Sequence, residues 1–250
     1  MSKFIDKLTL SEAAPAPMGF TSQKVSREKP KMQLVAVLSP GAEVELCYAD
    51  AVLVKVNTAA GLKKVAKLCE AEEKTPYGAW FGEIGSKDAE KLSEAGCDFA
   101  VFPAGTPLSV KMSEKLGKVL ELDPALTDDY LLAVEDLPVD AVLATIKPEK
   151  DFLTMSDLIS IQRLVALVGK PLLLSSSALT PNDLQPLWDA GVKGLVVSAE
   201  GEGVEEKLKL FHQAIDELAV PKKRKKAAPI VPRISIKEEP PPREDEEEDE

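Results

Sequence analysis

Histidine is almost missing from this chain of 250 residues: there is one, His212. Chemistry that depends on an imidazole base, or on a metal held by several histidines, is thereby excluded. Cysteine is scarce as well. Cys47, Cys69 and Cys97 are odd in number and far apart, which fits neither a disulfide framework nor a C-x-x-C metal or redox motif, so they read as small apolar side chains. Aromatic residues make up 5%. No apolar run reaches the ~18 to 20 residues that a membrane helix needs. The first residues, MSKFIDKLTLSEAAPAPMGF, contain no continuous apolar segment before a cleavage site, so no secretory signal is expected and the location is read as cytoplasmic. The G-x-G-x-x-G, G-x-x-x-x-G-K-[ST] and G-x-S-x-G motifs are all absent, which speaks against nucleotide folds and nucleophile-elbow hydrolases.

What is present is a core-forming composition, 44% apolar and 29% charged, with a net charge of -11. That charge is unevenly spread. Residues 1–31 carry six basic and three acidic groups, residues 32–220 carry 17 and 30, and residues 221–250 carry eight and nine. The acidity therefore belongs to the middle. There Arg163 is the single arginine, so nucleic-acid binding by the folded part is not expected.

Eight β-rich runs punctuate that middle: 32–39, 51–56, 77–83, 98–104, 118–123, 139–146, 170–176 and 193–199. Several are continuous apolar stretches without alternation, as expected of parallel strands covered on both faces. Between them lie segments of helical period, such as 61–74, where Leu62, Val65, Ala66, Leu68 and Cys69 share a face. Caps mark the ends: Ser86 and Gly96 around one helix, and Thr180, Pro181 and Gly191 around another. Only eleven residues separate the first two strands, which predicts a short or irregular first crossover.

Eight β-then-α units in fewer than 190 residues predict an α/β fold, a single (β/α)8 TIM-type barrel over 32–220. Residues 1–31 are read as an N-terminal arm with a short helix at SKFIDKLTL covering the barrel floor. A doubly wound open sheet is the competing architecture. Strand pairing separates the two, because only a barrel sets the strand of Val35 beside that of Val196. Residues 221–250 hold six prolines, the basic run PKKRKK and the acidic end REDEEEDE, and read as a disordered tail. PKKRKK matches a nuclear-localisation pattern and IKEE a pattern for modification by small ubiquitin-like proteins. The simpler reading is a solvated tail able to recruit a protein partner.

In a barrel, function sits at the C-terminal ends of the strands. There the sequence places Lys55, Glu83, Glu121, Asp123 and Lys147, the candidate catalytic set. A lysine flanked by carboxylates and apolar walls can serve as an amine nucleophile or proton carrier. Lys147 ends the sixth strand, a place that resembles that of the Schiff-base lysine in class I aldolase barrels. Glu121 interrupts an apolar strand and would be costly to bury unpaired. A magnesium site from Glu83, Glu121 and Asp123 is conceivable, but nothing in their spacing calls for one, and no metal or cofactor is assigned.

Residues 170–201 carry an apolar strand (Leu172 to Leu174), a small-residue turn (Ser175 to Ser177), a capped helix with Thr180 and Asp183, a glycine junction (Gly191 to Gly194) and a further apolar strand (Leu195 to Ala199). This segment resembles the seventh and eighth units of phosphate-binding (β/α)8 barrels such as indole-3-glycerol phosphate synthase, thiamine phosphate synthase and the flavin-mononucleotide barrels. The resemblance implies a phosphate site at Ser175, Ser176 and Ser198. The chain departs from that pattern where glycines usually approach the phosphate: it reads Ser-Ser-Ser and Ser-Ala-Glu, and Glu200 would repel a dianion. Two functions follow as expectations. One is a lyase or isomerase acting on a small, phosphorylated metabolite through lysine and carboxylate chemistry. The other is a non-catalytic barrel scaffold whose tail recruits a protein partner.

Overall fold

Eight parallel strands, each paired to the next and the last paired to the first, close into a barrel in the computed structural model. They are β1 (Gln33–Leu38), β2 (Ala51–Val56), β3 (Tyr77–Phe81), β4 (Phe99–Pro103), β5 (Gly117–Leu122), β6 (Ala141–Ile146), β7 (Leu172–Ser176) and β8 (Gly194–Ser198). Val35 is in register with Val196, the pairing that rules out an open sheet. The structure describes residues 2–10, 31–39, 48–56, 59–71, 75–110, 112–201 and 203–219. The tail 221–250, most of the arm 1–31 and the first crossover, 40–47, lie outside the described residues.

Each strand is buried on both faces, which explains the lack of alternation in the sequence. Val35, Leu53, Val101, Val119, Leu143, Leu173 and Val196 fill the interior. Their neighbours in sequence, among them Leu34, Val54, Ala100, Leu120, Val142 and Leu174, pack outward against the helices. Those helices are α2 (Ala59–Ala71), α3 (Ser86–Glu94), α4 (Asp128–Ala133), α5 (Met155–Val168), α6 (Leu184–Ala190) and α7 (Val204–Asp216), with a short 3-10 turn, Pro181–Asp183, leading into α6. The expected glycine stops hold: Gly96 and Gly191 both adopt positive φ. α3 opens one residue early, since the Gly85 carbonyl accepts the first helical bond, from the Ala89 N–H.

The fourth unit departs from the expected alternation. Between β4 and β5 the described residues form turns and no helix. Pro103, Gly105 and Pro107 interrupt any helical run there, and the Pro103 carbonyl is taken up by the N–H and hydroxyl of Thr106.

α1 (Lys3–Leu10) closes the N-terminal end of the barrel as a plug. Phe4 stacks on Phe99, with ring centroids 4.4 Å apart. The Phe99 ring lies so close to Gly78 that an added Cβ would stand 2.6 Å from it, and a Cβ on Gly117 would meet Ile5 at 2.7 Å. Bare backbone at these two strand positions makes room for the plug. Asp98 then fixes the start of α1. Its carboxylate accepts from Ser2 Oγ (2.7 Å), Lys3 N (2.8 Å) and Phe4 N (2.9 Å), serving as a cap from 94 to 96 residues away in sequence.

Candidate active site

At the C-terminal end the inward positions change character. Period two carries Lys55 inward with Leu53, Trp80 with Gly78, Glu121 with Val119, Thr145 with Leu143, Ser175 with Leu173 and Ser198 with Val196. Glu121 is the centre of this layer. Its Oε2 accepts a 2.9 Å hydrogen bond from the Trp80 indole N–H, which answers how a charged residue is tolerated in an apolar strand. The Lys55 ammonium stands 5.8 Å from the centroid of the same indole, within cation–π range. One tryptophan thus lies between a cation from β2 and a carboxylate from β5.

A cleft of about 760 Å³ opens beside Glu121 along the ends of β4, β5 and β6. Asp123, Thr145, Lys147, Asp157 and Ser160 also line it. Thr145 Oγ1 is buried and has no hydrogen-bond partner among the described residues. Asp157 belongs to the cap of α5: its carboxylate accepts from the Thr154 N–H (2.8 Å) and hydroxyl (2.6 Å), and these bonds hold it below the usual carboxylate range. Asp123 Oδ1 accepts from the Ala125 N–H, so this carboxylate also shapes the loop after β5. That loop is clamped from α5 by Arg163, which donates to the carbonyls of Pro124 and Leu126 and to Asp128.

The five residues of the candidate catalytic set are therefore not equivalent. Glu121, Asp123 and Lys147 share the cleft. Lys55 faces the same mouth from across Trp80. Glu83 stands apart: β3 ends at Phe81, and the exposed Glu83 continues the phase of Ala79 and Phe81, which face the helices. The ion pairs seen among the described residues include none between Lys55 and Glu83 or between Lys147 and Glu121. Nor do three of the described His, Cys, Asp and Glu side chains gather into a metal-sized cluster.

Of the three serines implied for phosphate, Ser175 and Ser198 are on the inward phase, and Ser198 is exposed at the rim. Ser176 is on the outward phase with Leu174, and its hydroxyl accepts from the Ala178 N–H to close the turn. Glu200 is bridged by the hydroxyl of Ser39 from the end of β1. His212 lies on α7, its ring tilted against Tyr48 at 6.0 Å.

Trp80, Thr145 and Asp157 were not among the sequence candidates. Two of them left a trace. A tryptophan near a strand end brings an N–H that needs a partner when buried, and Thr154 with Asp157 spells the T-x-x-D start of a helix after the sixth strand.

No family model matches the sequence, and no curated protein is similar enough to it to count as a relative. Solved structures match its fold over about three quarters of the chain. 3-Hexulose-6-phosphate synthase superposes with a TM-score of 0.57 at 17% identity, covering 74% of this chain and 100% of its own. Thiamine phosphate pyrophosphorylase from Pyrococcus furiosus gives 0.54 at 14%, over 74% and 96%. A tryptophan synthase alpha-subunit variant from the same organism gives 0.59 at 13%, over 75% and 98%. At these identities the likeness is one of fold. It spans the whole (β/α)8 barrel, the fold that the eight β-rich runs predict. No described helix is long and apolar enough to cross a membrane.

Proposed function

We propose that the mouth is the active site of a cytoplasmic lyase or isomerase acting on a small, phosphorylated metabolite by proton transfer next to a carbonyl. The observation that carries this reading is Glu121, a carboxylate aimed by the Trp80 N–H at the edge of a cleft that also holds Lys147. Glu121 accepts the proton from the carbon beside the substrate carbonyl, and the Lys147 ammonium meets the oxygen on which negative charge develops. Where that carbon bears a hydroxyl, passage of the hydroxyl proton to the carbonyl oxygen and return of the abstracted proton to the former carbonyl carbon complete an isomerisation, and loss of a leaving group from the carbon on the other side completes an elimination. Asp123 stands at the rim as a second carboxylate. Lys55, Ser175 and Ser198 offer a cation and two hydroxyls to the substrate's anionic end. Two of the fold neighbours bear phosphorylated compounds in their names, which supports that choice of substrate class.

The test is proton exchange. Phosphorylated aldehydes, ketones and keto acids are incubated with the protein in D2O and followed by NMR. The expected result is deuterium at the carbon beside the carbonyl of one of them, slowed about 10²- to 10⁴-fold by Glu121→Gln. Absence of exchange from the whole panel overturns the reading. Borohydride trapping separates the covalent alternative, since only a Schiff base at Lys147 or Lys55 leaves a reduced lysine adduct.

A non-catalytic scaffold has one observation in its favour. Glu200, bridged by Ser39, places a carboxylate at the end of β8, where a phosphate dianion would be repelled. Removing residues 221–250 tests that version: it requires captured protein partners to be lost with the tail, and an unchanged partner set counts against it.

A further inference from the structure

Cys69 and Cys97 are separated by two elements in sequence, yet the barrel brings them together. Cys69 Sγ on α2 lies 3.6 Å from Cys97 Sγ, on the link from α3 to β4. Both are reduced thiols, Cys97 buried and Cys69 half-buried. The hydrogen bond shared with Cys69, and then burial, push the Cys97 thiol well above its ordinary range, so it stays protonated beside its partner. Spacing alone had pointed to small apolar side chains, because no C-x-x-C joins them. The contact depends on α2 packing against β3 and α3.

We propose that Cys69 and Cys97 form a dithiol site that a peroxide converts reversibly into a disulfide, tying α2 to the start of β4. Cys69 is the more accessible of the two and reacts first. Its sulfur attacks one peroxide oxygen, the O–O bond breaks, and a sulfenic acid forms with release of water. The Cys97 sulfur then attacks the Cys69 sulfur, loses its proton and displaces the hydroxyl as a second water. Two thiols are oxidised and one peroxide is reduced. The sulfurs must approach by about 1.5 Å to reach a bond of about 2.05 Å. The joint is well placed to matter, since Asp98, the next residue, fixes the start of α1.

The experiment uses the full chain and one equivalent of hydrogen peroxide under native conditions, followed by maleimide labelling, intact mass and peptide mapping. Two thiols should disappear, the mass should fall by two hydrogens, and one cross-linked peptide pair should contain Cys69 and Cys97. Tm should rise by roughly 5 to 10 °C and return with dithiothreitol. Cys47→Ser should behave as the wild type, and Cys69→Ser should yield no intramolecular cross-link. A cross-link through Cys47, or sulfinic acids without any cross-link, overturns the proposal. Should Cys69→Ser fail to fold, mapping of the wild type and Cys47→Ser decides it alone.

Discussion

The inward face of the barrel can be followed from one end to the other along the same strands. At the N-terminal end it presents Phe99, Val35, Ala51 and Ala141, packed against Phe4, Ile5 and Leu8 of α1, with Ser2 and Gln33 the buried polar side chains there. A few residues further along it presents Lys55, Trp80, Glu121, Thr145, Ser175 and Ser198, several of them partly exposed. The floor is apolar and capped, with the Gln33 Oε1 as a buried polar atom that lacks a partner among the described residues, whereas the mouth carries opposite charges beside the unpartnered Thr145 hydroxyl. Apolar burial makes stability, and a partly exposed layer of charged and polar side chains is what a ligand can complete. The two ends therefore differ in the way the ends of such barrels differ in general, an apolar floor below and a polar mouth above.

The largest expected effect lies at the floor. Phe4 is fully buried and stacked on Phe99. Phe4→Ala should cost about 3 to 5 kcal/mol, measured by urea unfolding, while leaving ligand binding at the mouth unchanged in the protein that remains folded. A cost below about 1 kcal/mol would mean that α1 is an ornament and the barrel closes without it. Asp98→Ala comes next. It strands the Lys3 and Phe4 N–H groups together with the Ser2 hydroxyl, and about 1 to 3 kcal/mol should be lost. Asp98→Asn, which keeps an acceptor, should lose less. At the mouth the balance reverses. Glu121→Gln keeps an oxygen for the Trp80 N–H and should stay within about 1 kcal/mol of the wild type, while slowing the proposed proton transfer about 10²- to 10⁴-fold. If it instead destabilises as much as Phe4→Ala, Glu121 is a core group and the division between floor and mouth fails.

Much of the floor and the strand order was legible in the sequence, because continuous apolar runs and glycine stops are local signals. SKFIDKLTL showed its amphipathic period within nine residues. Its cap did not show, since Asp98 is 94 to 96 residues away from the groups it holds. The mouth was harder to read for the same reason that the strands were easy. When both faces are buried, alternation is lost, and nothing local says whether Trp80 or Phe81 points inward. Glu83 was therefore placed at a strand end that β3 does not reach. Lys147 and Glu121 were legible because a charge interrupting or ending an apolar run is conspicuous whichever face it takes. The fourth crossover was taken as one unit among eight, although Pro103 and Pro107 were there to argue against a helix.

The smallest expected effect compares two carboxylates, one at each end. Asp216, at the end of α7, accepts from the Lys31 ammonium just before β1 at 2.6 Å, and that hydrogen bond, with the charges of Lys31 and His212, holds its carboxyl below the usual range. Asp157, at the mouth, is lowered by Thr154. A carboxyl that ionises more readily folded than unfolded stabilises the fold at pH above its unfolded value near 4, and that contribution fades as the pH falls toward the lower, folded value. Stability should thus be level from about pH 7 to 5 and decline below about 4. The Asp216 pair is more than half exposed on the carboxylate side, so solvent screens it, and Asp216→Asn should remove only about 0.2 to 1 kcal/mol of the neutral-pH stability. Asp157→Asn keeps an acceptor for Thr154 but loses the charge that strengthens those hydrogen bonds, and should cost about as much or slightly more, with a shallower acid decline in both variants. Unfolding curves at pH 7 and pH 3 check this. An Asp216→Asn protein that loses as much at pH 3 as at pH 7 would show that the Lys31 pair contributes nothing through ionisation.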